Sequence, residues 1–292
     1  MISKKVQDIR NGSGESDRKR DQGLTTPSDI IRRDNISYGL HGEWNLLDIY
    51  YTKDTRKCQR TIVSIHGGGW VYGTKEVYQF YGMDLAKRGF TVVNFNYRLA
   101  PEHPYPAALE DINQVFSFLK EHGTEFFIDL NNLFVVGDSA GAQLASQYLT
   151  ILTNPSFASL FQFKLPAIKV RAAALNCGFY DVKRCADERE TLPYLEYIGE
   201  ETEEKLESLN VMKYINKDFP PTFVMSACHD FLLDYARPMY EYLKELGVEC
   251  LLKIYGSPKQ KEIAHVFHVN MRMEEAKKCN DDECEFFAAK VL

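Results

Sequence analysis

Gly137-Asp138-Ser139-Ala140-Gly141 sets a serine among small residues, directly after the apolar run LFVV and directly before the amphipathic stretch AQLASQYLTIL. A serine at so sharp a strand-to-helix turn needs small neighbours, and Gly137, Ala140 and Gly141 supply them. Its oxygen then stands clear of the sheet, with the positive end of the following helix behind it. A bare G-x-S-x-G also arises by chance, and a serine there could simply cap a helix. The strand before it and the helix after it favour a nucleophile.

A serine hydroxyl is a weak nucleophile until a base takes its proton, a role that suits histidine near neutral pH. In the chain order that accompanies this strand–turn–helix pattern, an acid and then a histidine follow the serine. Of the seven histidines, only His229, His265 and His268 lie after Ser139. His229 immediately precedes the best acid, which makes it a poor choice for the base that this acid would orient. His265 sits in a loop past the run LLKIY and before a helical pattern, where it can reach the carboxyl ends of the strands; His268, three residues on, is the alternative. Asp230 directly follows the apolar run PTFVMSA and is the expected acid. Asp234 fits a helix cap better, and Asp181 is a rival at the end of another strand. A carboxylate in this role fixes the imidazole tautomer and stabilises the imidazolium.

Acyl transfer through a serine puts negative charge on a former carbonyl oxygen. His66-Gly67-Gly68-Gly69-Trp70, after the run TIVSI, is a loop whose backbone can approach such an oxygen. The expected donors are the N–H groups of Gly67 and Gly68, together with Ala140 after the nucleophile. A phosphate-binding loop is the competing reading, but the spacing of G-x-G-x-x-G is missing and no Lys-Ser/Thr follows. His66 itself reads as a structural hydrogen-bonder that shapes the loop.

The elements that must position these residues are legible as alternating runs. Strands are predicted at 46–51, 61–66, 91–97, 133–138, 170–176, 221–227 and 249–255, and helices at 76–88, 106–122, 140–152, 234–246 and 270–290. Pro106 near the start and Gly123 past the end mark the second helix. Strands separated by helices imply βαβ units and a mostly parallel sheet, to which the two strands nearest the start could add an antiparallel edge. Residues 1 to about 40 read as a polar segment, either part of a cap or without order. Residues 41–292 read as one catalytic domain. The stretch 178–219, with EETEEKLESL and the aromatics Tyr180, Tyr194 and Tyr197, reads as an inserted helical cap.

The chain has 292 residues and a formal net charge of -6, which argues against a nucleic-acid partner. No run approaches the roughly 18 apolar residues of a membrane span, and no signal peptide is recognisable. The seven cysteines form no C-x-x-C pair, which fits reduced thiols in a cytosol better than a disulfide framework or a zinc site.

With these residues in view, the chain resembles the bacterial hormone-sensitive-lipase-like esterases of the α/β-hydrolase superfamily. The resemblance rests on His66–Trp70, on the block Tyr97-Arg-Leu-Ala-Pro-Glu-His-Pro-Tyr-Pro-Ala-Ala-Leu-Glu-Asp111, on Gly137–Gly141 and on the Asp230 and His265 segments. Phe231 stands where that family usually has proline, and Val266 where a glycine is common. In the middle block, Pro101, Pro104 and Pro106 stiffen a turn, and Arg98 with Asp111 could pin it. The resemblance implies an α/β-hydrolase fold and gives Ser139, Asp230 and His265 the triad roles and Gly67, Gly68 and Ala140 the oxyanion roles. It also implies a cap built from the N-terminal segment and the 178–219 insertion. The expected activity is hydrolysis of short-chain carboxylic esters through an acyl-enzyme, without metal or organic cofactor, on a small-molecule substrate, in the cytoplasm. A homodimer is compatible with this reading. Amide hydrolysis by the same triad, or a non-catalytic ligand-binding protein on the same fold, are the alternatives; the residues lining a substrate pocket are not readable from the sequence.

Overall fold

Successive residues of the central strands enter two different apolar clusters. Val63, Val93, Val135, Ala173 and Val224 join one, while Ile62, Val92, Phe134, Ala172 and Phe223 join the other. Strands buried on both faces in this way belong to a sheet covered by helices on each side. In this computed structural model, which describes residues 2–180 and 193–292, the strands are β1 (Ile30–Ser37), β2 (Leu46–Thr52), β3 (Gln59–Ile65), β4 (Thr91–Phe95), β5 (Ile128–Asp138), β6 (Val170–Asn176), β7 (Thr222–Ala227) and β8 (Cys250–Tyr255). They form one sheet in the order β1-β2-β4-β3-β5-β6-β7-β8. The pairings from β4–β3 through β7–β8 are parallel; β1–β2 and β2–β4 are antiparallel.

The helices are α1 (Lys4–Asp21), α2 (Gln79–Lys87), α3 (Ala107–His122), α4 (Ala140–Thr153), α5 (Pro155–Ala158), α6 (Tyr194–Ile198), α7 (Glu203–Ser208), α8 (Val211–Tyr214), α9 (Leu233–Glu245) and α10 (Glu274–Ala288). Apolar residues of α2 and α10, such as Met83, Leu85, Ala276 and Phe287, share the cluster of Phe134. Those of α3, α4 and α9, such as Ile112, Phe116, Leu144 and Met239, share the cluster of Val135. Arg98 pairs with Asp111: its backbone N–H donates to Oδ2 at 2.7 Å and its Nε to Oδ1 at 3.0 Å, pinning the turn that leads into α3. Among the described residues, no helix is long and apolar enough to cross a membrane.

Two elements depart from the sequence expectation. The first 40 residues, read as a polar segment, contain both a helix and the edge strand. In β1 only Ile30 is buried, so the strand lacks the alternation that marks a covered strand. Consequently β2 pairs antiparallel with β1 and β4, and the run at 61–66 is not an edge addition but part of the interior strand β3. Helix α1 buries only Val6 and is docked by polar groups instead. Arg10 forms a two-pronged pair with Glu102 (both 2.7 Å) and donates to the carbonyls of Val71 and Ala100. Arg20 donates to the Val77 carbonyl at 2.6 Å, and the Tyr72 hydroxyl donates to Asp17 at 2.7 Å. Of the expected cap insertion, the part from 193 onward holds α6, α7 and α8, with Tyr194 and Tyr197 buried; Asp181 lies outside the described residues.

The Phe134 cluster offers a direct check on the packing. Phe287 is fully buried, stacked on Phe134 at 4.9 Å and edge-on to Phe90 at 6.3 Å. Truncating such a side chain costs both transfer energy and a cavity. Phe287→Ala is expected to lower stability by about 3–5 kcal/mol, read as a fall in the urea midpoint at unchanged slope.

Candidate active site

Ser139 sits at the C-terminal tip of β5 with φ 53° and ψ -120°, a conformation that costs free energy for any residue with a side chain. The surrounding backbone leaves no room for an alternative. A Cβ on Gly141 would overlap the carbonyl oxygen of Ile65, and one on Gly137 would overlap the carbonyl of Gly141. The Ser139 N–H donates to the Asn176 carbonyl of β6 at 2.9 Å. The turn is therefore wedged between β3, β5 and β6, with α4 starting at the next residue.

Asp230 lies three residues past β7 and His265 in the loop after β8. An isolated parallel bridge between His229 and Ala264 continues the β7–β8 pairing beyond the strand ends and holds the two loops side by side. His265 Nδ1 is 2.7 Å from Asp230 Oδ1, and His265 Nε2 is 3.0 Å from Ser139 Oγ. The structure thus brings together the three residues expected from the sequence, in one hydrogen-bonded row. An ionised Asp230 can only accept, so Nδ1 carries the proton and Nε2 is free to receive one from Ser139. Burial alone would raise the Asp230 carboxyl. The hydrogen bond and charge of His265, with the Leu232 N–H at 2.9 Å and the Ser226 hydroxyl at 2.7 Å, instead hold it below the usual carboxylate range.

The other candidates fall elsewhere. His268 is fully buried, edge-on to Tyr81 at 5.2 Å, and burial lowers its pKa to about 3. Asp234 lies in the first turn of α9. His66 is also fully buried; it stacks on Tyr97 at 4.1 Å, its Nδ1 lies 2.8 Å from the Gly67 carbonyl, and burial brings its pKa down to about 4. It shapes the loop, as expected. Val266, next to His265, adopts φ 52°, a left-handed conformation that a β-branched residue enters only under strain. That conformation is the physical reason a glycine would suit this position.

One donor assignment needs correction. The Gly67 N–H, expected to face the oxyanion, donates to the Tyr78 hydroxyl at 3.1 Å, and Gly67 is buried. All three glycines border the cavity, but Gly68 and Gly69 are partly exposed, with φ 113° and 58°. No acceptor within the described residues takes the N–H of Gly68, Gly69 or Ala140. The three-glycine motif announces a cradle of amides but not which of them is turned inward by a partner 11 residues away.

That partner is the main feature that sequence reasoning missed. Tyr78 also donates to Asp138 Oδ2 at 2.7 Å, so one phenol ties the glycine loop to the residue before Ser139. Asp138 is fully enclosed, and burial raises its pKa to about 7 against the lowering effect of Tyr78. The middle letter of G-D-S-A-G was visible, but nothing in the sequence paired it with Tyr78. Among the described residues, Cys177, Asp230 and His265 form the one group of potential metal ligands, and two of them are already bonded to each other.

The site opens into a cavity of about 390 Å³ lined by Ile9, Ser13, Asp17 and Arg20 of α1, by Tyr72 and Tyr78, and by Phe231 and Val269. A family model for BD-FAE matches residues 47–240. The chain belongs to the BD-FAE family. This BD-FAE member is 28% identical over 249 residues to an acetyl esterase of Salmonella paratyphi B, covering 80% of this chain and 73% of the relative. Among solved structures, esterase B from Lactobacillus rhamnosis superposes with a TM-score of 0.91 at 24% identity, covering 98% of this chain and 95% of that one. A bacterial heroin esterase superposes with a TM-score of 0.79 at 19% identity, covering 98% and 92%. These likenesses establish the α/β-hydrolase fold and agree with the resemblance to hormone-sensitive-lipase-like esterases.

The enclosed carboxyl gives a pH prediction. Raising the Asp138 pKa from 3.8 to about 7 in the folded state disfavours its ionisation there. Its contribution to stability is therefore full below 3.8 and declines as pH rises toward about 7. Asp138→Asn keeps an acceptor for Tyr78 and removes the titration. Urea midpoints measured across that window are expected to fall less steeply with pH in Asp138→Asn than in the wild type.

Proposed function

We propose that this protein is a serine carboxylic ester hydrolase acting on small, short-chain acyl esters, with Ser139 as nucleophile, His265 as general base and acid, and Asp230 as the carboxylate that orients it. The observation carrying the reading is the unbroken row from Asp230 Oδ1 through His265 to Ser139 Oγ, with links of 2.7 and 3.0 Å. In the first step Ser139 Oγ attacks the ester carbonyl as His265 Nε2 takes its proton. The charge that develops on the carbonyl oxygen rests on the amides of Gly68, Gly69 and Ala140. His265 then returns the proton to the departing alcohol, and water, deprotonated by the same imidazole, releases the acid from Ser139.

The acyl preference is supported by the size of the cavity. Helix α1 and the described part of the insertion (Pro193 onward) act together as a cap, and α1 presents Ile9, Ser13, Ser16, Asp17 and Arg20 to the site. A cavity of about 390 Å³ beneath α1 leaves limited room for a long acyl chain. The acetyl esterase relative points the same way. A reducing, cytosolic setting fits the cysteines, none of which is paired among the described residues.

Ser139→Ala and His265→Ala are each expected to lower kcat on p-nitrophenyl acetate by about 10⁶-fold, and Asp230→Asn by about 10⁴-fold. Acetate and butyrate esters should be turned over faster than esters of twelve or more carbons; the reverse order would overturn the short-chain assignment. An alkyl phosphonate, the kind of inhibitor found on esterase B from L. rhamnosis, should label Ser139 and no other serine, as read by mass spectrometry of peptides.

A further inference from the structure

The hydrolytic row does not require the side chain that follows Asp230. Phe231 is 65% exposed, yet its neighbours on both sides, Asp230 and Leu232, are buried. The chain there is fixed: the Asp230 N–H donates to the Ala227 carbonyl, the Leu232 N–H to Asp230 Oδ1, and the Leu233 N–H to the Asp230 carbonyl. The phenyl ring therefore stands out from a rigid base. It lines the cavity over Ser139, and its centroid lies 4.3 Å from that of the His265 imidazole, tilted by 48°. A single exposed apolar residue on a surface needs no explanation. One that stands beside the His265 imidazole and lines the same cavity as Ser139 is different, because it is within reach of a bound substrate.

The chemistry decides which part of the substrate lies there. His265 Nε2 delivers its proton to the leaving oxygen, so the alcohol portion sits on the imidazole side of Ser139. The carbonyl oxygen sits on the other side, toward the glycine loop. Phe231 is on the imidazole side and so borders the alcohol portion.

We propose that Phe231 is a specificity-determining residue: an aromatic platform for the leaving group that selects esters of ring-bearing alcohols over esters of open-chain alcohols with the same acyl group. The inference rests on the ester-hydrolase reading. A flat ring laid against phenyl gains dispersion and quadrupole contacts that a two-carbon chain lacks, worth roughly threefold to tenfold in binding.

Steady-state kinetics of the full chain on phenyl acetate and ethyl acetate test this, each variant being compared with wild type on the same ester so that intrinsic reactivity cancels. In Phe231→Ala the ratio of kcat/KM for phenyl over ethyl acetate should fall roughly threefold to tenfold, mainly through KM for phenyl acetate. Phe231→Trp, which keeps a flat face, should hold the wild-type ratio. An unchanged ratio in Phe231→Ala would sink the proposal. So would a fall in kcat shared equally by both esters, because the ring would then be positioning His265 rather than holding substrate. If the wild type turns over neither acetate while Ser139→Ala behaves the same, the ester-hydrolase reading itself fails, and the platform fails with it.

Discussion

Close approach of backbone to backbone beneath Ser139 sets the geometry of everything above it. The Gly141 Cα lies so near the carbonyls of Ile65 and His66 that no larger residue fits, and Gly137 is pressed in the same way against Gly141. Because two adjacent strands and the start of α4 meet there without intervening side chains, the serine and the glycine loop are spaced by main chain, which is stiffer than any side-chain contact. The unfavourable conformation of Ser139 persists because its surroundings over-determine it. Trp70 adds a strut: its indole N–H donates to Gln143 of α4 at 2.9 Å, fastening the far end of the loop to the same helix.

Behind this wedge lies a layer of buried polar groups whose charged forms are suppressed. Burial raises the Asp138 and Glu283 pKa values to about 7 and lowers those of His66 and His268 to about 4 and about 3. Glu283 accepts from Tyr81 at 2.9 Å and from Asn176 at 2.7 Å, and the carbonyl of that same Asn176 receives the Ser139 N–H. Burial disfavours the charged form of each of these groups, and Asp138 and Glu283 are held in addition by hydrogen bonds from Tyr78, Tyr81 and Asn176. Asp230 is the exception: its bonds from His265, Leu232 and Ser226 keep it ionised despite burial.

The N-terminal helix is attached by different physics. Helix α1 contributes almost no apolar burial, and its place over the cavity depends on Arg10, Asp17 and Arg20 reaching the Val71, Ala100 and Val77 carbonyls, Glu102 and the Tyr72 hydroxyl. Such contacts are individually modest and exchange readily with water. The Asp230–His265–Ser139 row thus sits on a rigid floor and beneath a helix joined to it by polar contacts.

Much of this was already written in the chain. Ser139, Asp230 and His265 were legible because each follows a β-rich run, and in a parallel sheet those ends share one rim. The covered strands were legible because residues buried on both faces leave a compact apolar signature. Strand β1 and helix α1 left no such mark: one is an edge with a single buried residue, the other is held by charges whose partners lie about 60 to 90 positions away. Likewise His66-Gly-Gly-Gly fixed that a cradle of amides exists, while the turn of each amide followed from where the Tyr78 hydroxyl lands. Residue type and order determine which groups are available and which ends of the sheet they reach. The direction of an N–H, the ionisation of an enclosed carboxyl and the ring that borders the leaving group depend on neighbours distant in sequence, and folding alone assigns those neighbours.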